Sequence, residues 1–444
     1  MKIIFIENRY ATLIYSGVAK FLKHKNIDIH WIVQNPVFSP PLENVHVIPF
    51  PSKNDLVFPS EEKYYWLMRS DRGYLHFGGD GAHYSYYDKI ISEKINEIKP
   101  DYVFGEATEF HELLAIKFCK QNGIKYYSPN VTRYPTDRVI FFLYDSLDAV
   151  GGENCKISNS ELERSLDGIK NRKIIPSYMR KNNKSKKHIY IKIKDKFKIL
   201  QGWILGEKYI TPSPIKKFVL DNNKKKQIKE WDRYAIKNME KWNNIVKNKK
   251  PCVLYALQMQ PEGNIDVWGY PWNNQVDIIR RAANALSAVN AFLIVKPNPK
   301  SKYEMSEELN YVVKKIPNVV ALPHNVAMED VFPCVDMVLT VTGTILMESI
   351  FSNKPVAVLG DHAMSKYSGV INLSSPEYVA DAFEGVVRDD CKNASSVDGI
   401  NLLKKMYNCS YPAIIWDPVL SPEKSTDTNF SRLSDAFLSV MNIN

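Results

Sequence analysis

Two glutamates directly follow apolar stretches that we predict to be buried strands. Glu106 follows Asp101–Gly105, and Glu262 follows Cys252–Leu257 in the sequence LQMQPE, which starts at Leu257 and also contains Gln258. Ligands of open α/β sheets bind just past the carboxyl ends of the strands. A carboxylate at that place can take a proton from a hydroxyl or act as a nucleophile. We predict Glu262 as the main catalytic residue and Glu106 as its assistant, although either could instead be a helix cap or a salt-bridge partner.

A second group of residues suits an anion. Lys296 ends a predicted strand in the sequence VKPNP, which also contains Asn298, and His324 follows the next strand in LPHN. An ammonium and an imidazole at strand ends can pair with a phosphate or a sugar carboxylate. One such residue carries little information, because strand ends often carry a solvated charge. Together with the turn Thr342–Thr344 at another end of the same predicted sheet, they form a more specific group.

The turn Thr342–Thr344 lies in the segment around which the chain is organised, MVLTVTGTILMESIFSNKPVAVLG at 337–360. The pattern predicts a buried strand, the turn, a helix and a second buried strand. A helix start offers free N–H groups and the positive end of the dipole, which suit a phosphate. Glu348 can accept hydrogen bonds from sugar hydroxyls, or Thr342 merely caps the helix and Glu348 is solvated. The predicted donor-binding residues are Gln258, Lys296, Asn298, His324, Thr342, Gly343, Thr344 and Glu348.

Polar residues also lie at the predicted strand ends of the first half. The turn after the first strand, at 7–10, lacks the GxGxxG fingerprint, which argues against a dinucleotide site. The aromatic-rich segment 60–88 is predicted to form a helix and a loop on the substrate side. The predicted contacts to the acceptor or substrate are Arg9, His111, Arg133 and Arg138.

The elements that must position these residues alternate between strand and helix. Such alternation is typical of doubly wound parallel sheets. We therefore predict an α/β fold of two Rossmann-like domains facing a cleft, which is GT-B-like. The predicted strands of the two halves are Lys2–Glu7, Asp28–Gln34, Val45–Phe50, Asp101–Gly105 and Lys125–Ser128, then Cys252–Leu257, Phe292–Lys296, Val319–Leu322, Met337–Val341 and Val356–Leu359.

The length of 444 residues is too great for one hydrophobic core, so two domains are expected. We predict an N-terminal acceptor-side domain at 1–215, with a basic insertion at about 164–200, and a donor-binding domain at 216–420. The C-terminal helix at 421–444 is amphipathic and can complete the first domain.

The net charge of +10 is partly local, because residues 170–198 contain twelve Lys and Arg but one acid, Asp195. Such a stretch suits nucleic acid or an anionic membrane surface, or it is simply a solvated loop. No nucleic-acid-binding signature is present, so we predict no nucleic-acid partner and favour the membrane.

The chain contains no run of 18 apolar residues that would span a membrane. Its first residues, MKIIFIENRY, lack the length and the cleavage site of a signal peptide, which predicts a cytoplasmic protein. The preference of the basic stretch for a membrane predicts peripheral attachment of the protein to the inner face of the cell membrane. The six cysteines are scattered without a CxxC pair, which argues against disulfides and zinc. We predict neither a metal nor a cofactor.

The order of LQMQPE, VKPNP, LPHN, TVTGTILMES and KPVAVLG over residues 250–361 resembles bacterial capsule and O-antigen glycosyltransferases related to the β-Kdo transferases. GEATEFHELLAI and TRYP resemble their N-terminal half more faintly. The resemblance implies a GT-B-like fold, and several members use a CMP-sugar. It also implies that Glu262 stands where these enzymes carry an aspartate after a glutamine, Lys296 at the lysine of a KxHP-like motif and Glu348 at the glutamate of the serine-rich turn and helix. Asn298-Pro299 replaces the usual His-Pro.

The predicted function is transfer of a sugar from an activated donor, linked to a nucleotide or diphosphate, to a lipid-linked glycan acceptor of a growing capsule or O-antigen. CMP-Kdo is one candidate donor. A ribosyl or phosphoribosyl transferase of the same pathway, a sugar-nucleotide 2-epimerase and a non-catalytic polysaccharide-assembly protein are the alternatives. The residues leave the linkage and the stereochemical outcome open.

Overall fold

The structure is a computed structural model that describes residues 1–154, 157–176, 186–360, 364, 366–388, 396–418 and 421–442. The chain divides into two compact units. Unit 1 comprises Met1–Ile157, Ile175–Pro214 and Lys404–Asn444, and unit 2 comprises Ser158–Ile174 and Ile215–Leu403. Residues 158–174, which the sequence analysis places in the first domain, thus belong to unit 2, and residues 404–420 belong to unit 1.

Most strands are short and apolar, and most of their residues are buried because helices cover both faces of the parallel strands. The strands in chain order are β1 (Lys2–Ile6), β2 (Asp28–Val33), β3 (Val45–Val47), β4 (Tyr102–Phe104), β5 (Lys125–Val131), β6 (Val139–Leu143), β7 (Ala149–Val150), β8 (Cys252–Ala256), β9 (Phe292–Lys296), β10 (Val319–Ala321), β11 (Met337–Thr340), β12 (Val356–Leu359), β13 (Val370–Leu373) and β14 (Ser410–Tyr411).

The helices lie between these strands. In chain order they are α1 (Ala11–Leu22), α2 (Glu61–Met68), α3 (Arg72–Phe77), α4 (Tyr84–Ile98), α5 (Phe110–Gln121), α6 (Asn159–Lys170), α7 (Lys186–Leu205), α8 (Pro214–Lys247), α9 (Gly263–Asp266), α10 (Gln275–Ala288), α11 (Glu307–Lys315), α12 (Met328–Val331), α13 (Thr344–Phe351), α14 (Val379–Val387), α15 (Ser396–Asn408) and α16 (Asp427–Val440).

The sheet of unit 1 has the order β14-β6-β5-β4-β1-β2-β3, with β7 paired to β6. Strands β1 to β5 run parallel, whereas β6 is antiparallel to β5, β7 and β14. The chain leaves β1 toward β2 and β3 on one side and continues with β4 and β5 on the other. The strand order therefore reverses between β1 and β4, and such a reversal opens a crevice at the carboxyl ends of the two strands.

The sheet of unit 2 is parallel throughout and has the order β10-β9-β8-β11-β12-β13. Its order reverses between β8 and β11. The prediction of an α/β fold with two Rossmann-like domains is confirmed by these two sheets. Both units therefore have a switch point, between β1 and β4 in unit 1 and between β8 and β11 in unit 2.

Several elements differ from the sequence analysis. It did not predict β6, which pairs antiparallel with its neighbours, the two-residue strands β7 and β14, or the edge strand β13. Helix α11 begins at Glu307, because the side chain of the preceding Ser306 accepts the N–H of Leu309 and caps the helix. The segment 60–88 holds α2, α3 and the start of α4. Among the described residues, no helix is both long and apolar enough to cross a membrane.

The C-terminal helix α16 completes the core of unit 1. Phe437 is 1% exposed and its ring contacts the rings of Phe5, Phe104 and Phe141 at centroid distances of 5.9, 4.8 and 5.0 Å. This aromatic cluster joins the last helix of the chain to the first strand.

We predict that Phe437→Ala lowers the free energy of unfolding of unit 1 by about 3–5 kcal/mol, because it leaves a cavity among the aromatic rings. Denaturant unfolding followed by tryptophan fluorescence measures the loss. Phe58→Ala is the control, since Phe58 is 78% exposed in the same unit. Equal effects of the two substitutions would contradict this view of the core.

Candidate functional site

Four glutamates lie at the carboxyl ends of β1 and β4, where the strand order of unit 1 reverses. Among them Glu112, on the first turn of α5, is completely buried. Its carboxylate accepts the backbone N–H groups of Glu106 at 2.8 Å, Thr108 at 3.1 Å and Glu109 at 3.0 Å, and the side-chain amide of Asn8 at 3.0 Å. These bonds satisfy the N-cap N–H of α5 and two N–H groups of the loop that leads into it. Glu112 therefore holds the loop between β4 and α5 in one conformation.

Glu106 is the carboxyl group of this cluster that remains weakly bound. The Asn8 amide and the Thr108 hydroxyl each lie 3.4 Å from its Oε2 atom, and both groups also contact Glu112. Burial raises the pKa of Glu106, and the neighbouring Glu112 carboxylate raises it further. The N–H donors favour the charged form of Glu112, whereas burial and the neighbouring carboxylate favour the protonated form of Glu106.

Glu7 and His111 organise the end of β1. The Glu7 carboxylate accepts the N–H groups of Arg9 at 2.6 Å and Asn35 at 2.9 Å, which fixes the loops after β1 and β2. Burial raises the pKa of Glu7. His111 is 1% exposed, and its Nε2–H donates to the carbonyl of Glu7 at 2.6 Å. His111, which we predicted to contact the substrate, thus forms a hydrogen bond to the protein backbone.

Arg72 on α3 supplies a positive charge to the cluster. Its guanidinium lies 2.6 Å from Oε1 of Glu109, whose other oxygen is buried with no hydrogen-bond partner among the described residues. The guanidinium also opposes the rise of the Glu106 pKa. Over the described residues, no group of three or more His, Cys, Asp or Glu side chains is arranged to hold a metal ion.

The three predicted arginine contacts have different surroundings. The side chain of Arg138 is almost buried and bonds to Oγ and O of Ser410 at 2.8 and 2.7 Å, which ties β6 to β14. Arg9 donates to Oγ1 of Thr211 at 2.6 Å. Arg133 is half-buried in the turn after β5, at the same edge of the sheet as Glu106. Arg138 is thereby committed to the fold, whereas Arg133 lies at the edge where a ligand would bind.

The switch point of unit 2 is formed by Gln258 after β8 and the turn after β11. The side-chain amide of Gln258 is oriented so that its oxygen accepts the N–H groups of Gly343 at 2.6 Å and Thr342 at 3.2 Å, while its nitrogen donates to the Thr342 hydroxyl at 3.3 Å. The Thr342 hydroxyl donates in turn to the carbonyl of Asn264. A Cβ added at Gly343 would lie 3.0 Å from the oxygen end of the Gln258 amide. The N–H groups of Thr342 and Gly343, which the sequence analysis expected to be free for a phosphate, therefore donate to Gln258.

A network of amides holds the loop that carries Gln258 and Glu262. The buried side chain of Gln275 bonds to the backbone N–H and carbonyl of Gln258, both at 2.8 Å, and to Oε1 of Gln260 at 2.9 Å. Gln260 donates to Asp266 at 2.7 Å, and Asp266 accepts the N–H of Glu262 at 3.1 Å. Glu262 is half-buried at the N-cap position of α9. Its backbone is thus fixed, and its side chain makes no hydrogen bond that caps α9.

Two members of the predicted anion group, Lys296 and His324, lie close together at the ends of β9 and β10. Lys296 is 2% exposed, and its ammonium donates to the carbonyl of Pro297 at 2.9 Å and lies 3.5 Å from that of His324. Burial lowers the pKa of Lys296 to about 8, against the opposing effect of Asp232. His324 bonds to Asp232 at 2.8 Å and to Ser301 at 3.1 Å.

Asn298 belongs to the same group. Its carbonyl accepts the Ser301 hydroxyl at 2.8 Å, and its side chain accepts the N–H of Lys300 at 2.9 Å. The sequence VKPNP therefore folds back on itself next to His324. Ser301 links Asn298 to His324, and the carbonyl of His324 lies 3.5 Å from the Lys296 ammonium. Gln258 lies at the end of the neighbouring strand β8.

Glu348 on α13 is not solvated, which excludes one of the two interpretations of this residue. Its side chain is 8% exposed, and both carboxylate oxygens accept hydrogen bonds from Arg172, at 3.0 and 2.8 Å. Thr342 does not cap α13, because Gly343 occupies the N-cap position. The segment 158–174 thus joins unit 2 through a paired buried charge.

Some residues that shape these sites were not predicted from the sequence. Glu112 had a detectable signal, because an acid at the third position of a helix matches the capping-box pattern. Asn8 could have been found because it follows the first strand at the switch point. No local signal in the sequence could have found Arg172, Asp232 or Gln275, since each is far along the chain from its partner.

No protein-family model matches the chain, and no curated protein matches its sequence. Among solved structures, the UDP-GlcNAc 2-epimerase of Methanocaldococcus jannaschii in complex with UDP-GlcNAc and UDP is similar over 91% of this chain and 99% of its own, with 14% identity and a TM-score of 0.31. The Neisseria meningitidis UDP-GlcNAc 2-epimerase bound to UDP-GlcNAc covers 91% and 98%, with 12% identity and a TM-score of 0.32. The calicheamicin glycosyltransferase CalG4 covers 99% and 98%, with 13% identity and a TM-score of 0.30. At such TM-scores these likenesses carry no argument about this chain.

We predict that one glutamate carboxyl titrates well above the ordinary range in ¹³C NMR, because burial and Glu112 both favour the protonated form of Glu106. Glu106→Gln should remove this resonance and leave the other carboxyl resonances in place. If the resonance persists in Glu106→Gln and disappears in Glu112→Gln, the proton resides on Glu112 and the assignment within the pair is wrong.

Proposed function

We propose that the chain is a glycosyltransferase that moves a sugar from an activated donor to a growing cell-surface polysaccharide. The observation that carries the proposal is Glu106, a half-buried carboxyl group at a sheet switch point with a raised pKa, whose hydrogen bonds from Asn8 and Thr108 are both long. A group with such a pKa is poised to exchange a proton with a hydroxyl near neutral pH. Sugar transfer needs this exchange when the acceptor hydroxyl attacks.

The donor is proposed to bind at the carboxyl edge of the sheet in unit 2. Lys296 places a buried ammonium there, and Gln258 places a rigid amide beside the turn Thr342–Thr344. An ammonium favours the phosphate groups of an activated donor, and amides and hydroxyls suit its sugar and base. The proposal requires no metal or cofactor.

Glu262 is the second candidate for the chemical step. It lies half-buried past β8, and Asp266 and the Gln275 network fix its backbone. A carboxylate on a fixed backbone can serve as base or as nucleophile in a two-step route. The motif resemblance over residues 250–361 supports this role, and it supports a lipid-linked glycan as the acceptor.

The donor must be found before turnover can be measured. Thermal shift with a panel of CMP-, UDP- and GDP-sugars and phosphoribosyl compounds identifies it, because a ligand that binds only the folded protein raises its melting temperature. A CMP-sugar among the hits would support the β-Kdo-like donor, and a phosphoribosyl compound would support the corresponding alternative.

With that donor, we predict that Glu262→Gln and Glu106→Gln each lower turnover by about 10²–10⁴-fold, because each substitution removes a proton-transfer group and keeps the size. Donor affinity should change little. Glu308→Gln on α11 is the control, since Glu308 pairs with Arg280 on the exposed surface. A variant that keeps its turnover and only raises the Michaelis constant would show that its glutamate binds substrate instead.

A sugar-nucleotide 2-epimerase is the second candidate, and the same observation favours it, because a titratable carboxyl also suits proton abstraction from a sugar carbon. The two reactions differ in their need for an acceptor. Conversion of the sugar nucleotide without acceptor, with incorporation of solvent deuterium into the sugar, would identify the epimerase. Donor binding with no turnover under any acceptor would identify an assembly protein.

For Lys296 we predict that the Lys296→Ala substitution weakens donor binding by about 1.5–3 kcal/mol, the range for hydrogen bonds to charged groups. In the unsubstituted protein, donor affinity should fall as the pH rises above about 8, because the ammonium whose pKa burial lowers to about 8 then loses its proton. Calorimetry measures both effects, with the exposed Lys315→Ala as control. Equal donor affinity in Lys296→Ala and the control would remove Lys296 from the donor site.

A further inference from the structure

Helix α7 presents an apolar stripe to solvent. Ile193, Phe197, Leu200 and Ile204 recur at intervals of four, three and four residues, so they lie along one line of the helix. Their exposed fractions are 49%, 66%, 38% and 70%. Single exposed apolar residues are common on protein surfaces, but a contiguous line of large ones marks a surface that contacts something apolar.

The opposite side of α7 is the side that packs on unit 1. Gly202 is buried, and a Cβ added to it would lie 2.9 Å from the side chain of Asn35. Lys198 lies with its ammonium 5.6 Å from the centre of the Phe38 ring. By helical geometry Gly202 lies about 180° from the stripe. The orientation of α7 therefore follows from its packing, and the stripe faces outward as a consequence.

Positive charge surrounds the apolar stripe. Lys194 and Lys196 are exposed on its two sides, and Lys208 lies 5.9 Å from the ring of Trp203 just beyond the helix. Part of the predicted basic stretch at 170–198 lies outside the described residues. A helix with a large apolar face and flanking lysines is suited to lie in the plane of an anionic bilayer.

We propose that α7 is a membrane-docking helix, which inserts Ile193, Phe197, Leu200 and Ile204 among the acyl chains while its flanking lysines bind anionic lipid headgroups. This goes beyond attraction of a basic stretch to a charged surface, because the apolar stripe supplies burial that salt does not screen. It is also independent of the reaction at either switch point.

Other occupants of the stripe fit the surrounding charge less well. A second copy of a chain with a net charge of +10 would place its own lysines against these lysines. A nucleic acid would be attracted by the lysines but would meet an aliphatic stripe with Phe197 as its single aromatic residue, too few rings for base stacking. Anionic lipid satisfies both the charge and the apolar surface.

The test measures co-sedimentation of the full chain with vesicles of equal parts phosphatidylcholine and phosphatidylglycerol. Ile204→Glu and Phe197→Glu should each weaken binding by about tenfold or more, because each removes the burial of one large apolar side chain. Ile236→Glu is the matched control, since Ile236 is an isoleucine of α8 with 63% exposure and the substitution changes the charge equally. The control should bind like the unsubstituted chain.

Three outcomes would overturn the proposal. The first is equal loss of binding in Ile204→Glu and Ile236→Glu, which shows a charge effect without insertion. The second is complete release from the vesicles at high salt, which shows attraction by lysines alone. The third is no binding to vesicles together with dimerisation that Ile204→Glu abolishes, which assigns the stripe to a second copy. Glu262→Gln should bind vesicles like the unsubstituted chain, so a failure of the glycosyltransferase proposal leaves this test intact.

Discussion

Parallel pairing of the strands is the constraint on which both candidate sites depend. Parallel neighbours need a crossover connection, so their carboxyl ends all lie at one edge of the sheet. Where the strand order reverses, the two crossovers lead away in opposite directions and leave that edge open. Unit 1 places Glu106 at its reversal, and unit 2 places Gln258 and Thr342 at its own. Polar residues far apart in sequence meet there because of the strand order.

Buried charges in this protein are compensated in three different ways. Glu112 accepts several N–H groups and stabilises a loop, and Glu348 forms a two-bonded ion pair with Arg172. Lys296 instead donates to the carbonyl oxygen of Pro297, and among the described residues no carboxylate forms an ion pair with its desolvated ammonium. Burial of a charge costs free energy unless the charge is paired or hydrogen-bonded. An anionic ligand beside Lys296 would therefore offset part of the cost of burying its charge.

The two switch points differ chemically. That of unit 2 is lined by amides and hydroxyls, whose bonds do not change with pH near neutrality and which suit recognition. The switch point of unit 1 is lined by carboxyl groups whose pKa values burial raises, which suits proton transfer. The two switch points are therefore suited to different chemical tasks.

Local patterns in the sequence were sufficient for much of this fold. Apolar runs of four to seven residues marked β1, β8, β9 and β12 because strands buried on both faces contain little else. Position past a strand end likewise marked Glu106, Lys296 and His324 as candidate site residues. The interaction partners of these and other buried charged residues could be found only in the tertiary structure. Nothing local to Glu348 indicates Arg172, and nothing local to Lys296 indicates Asp232, since the strand order and the helix packing that join them act across the whole chain.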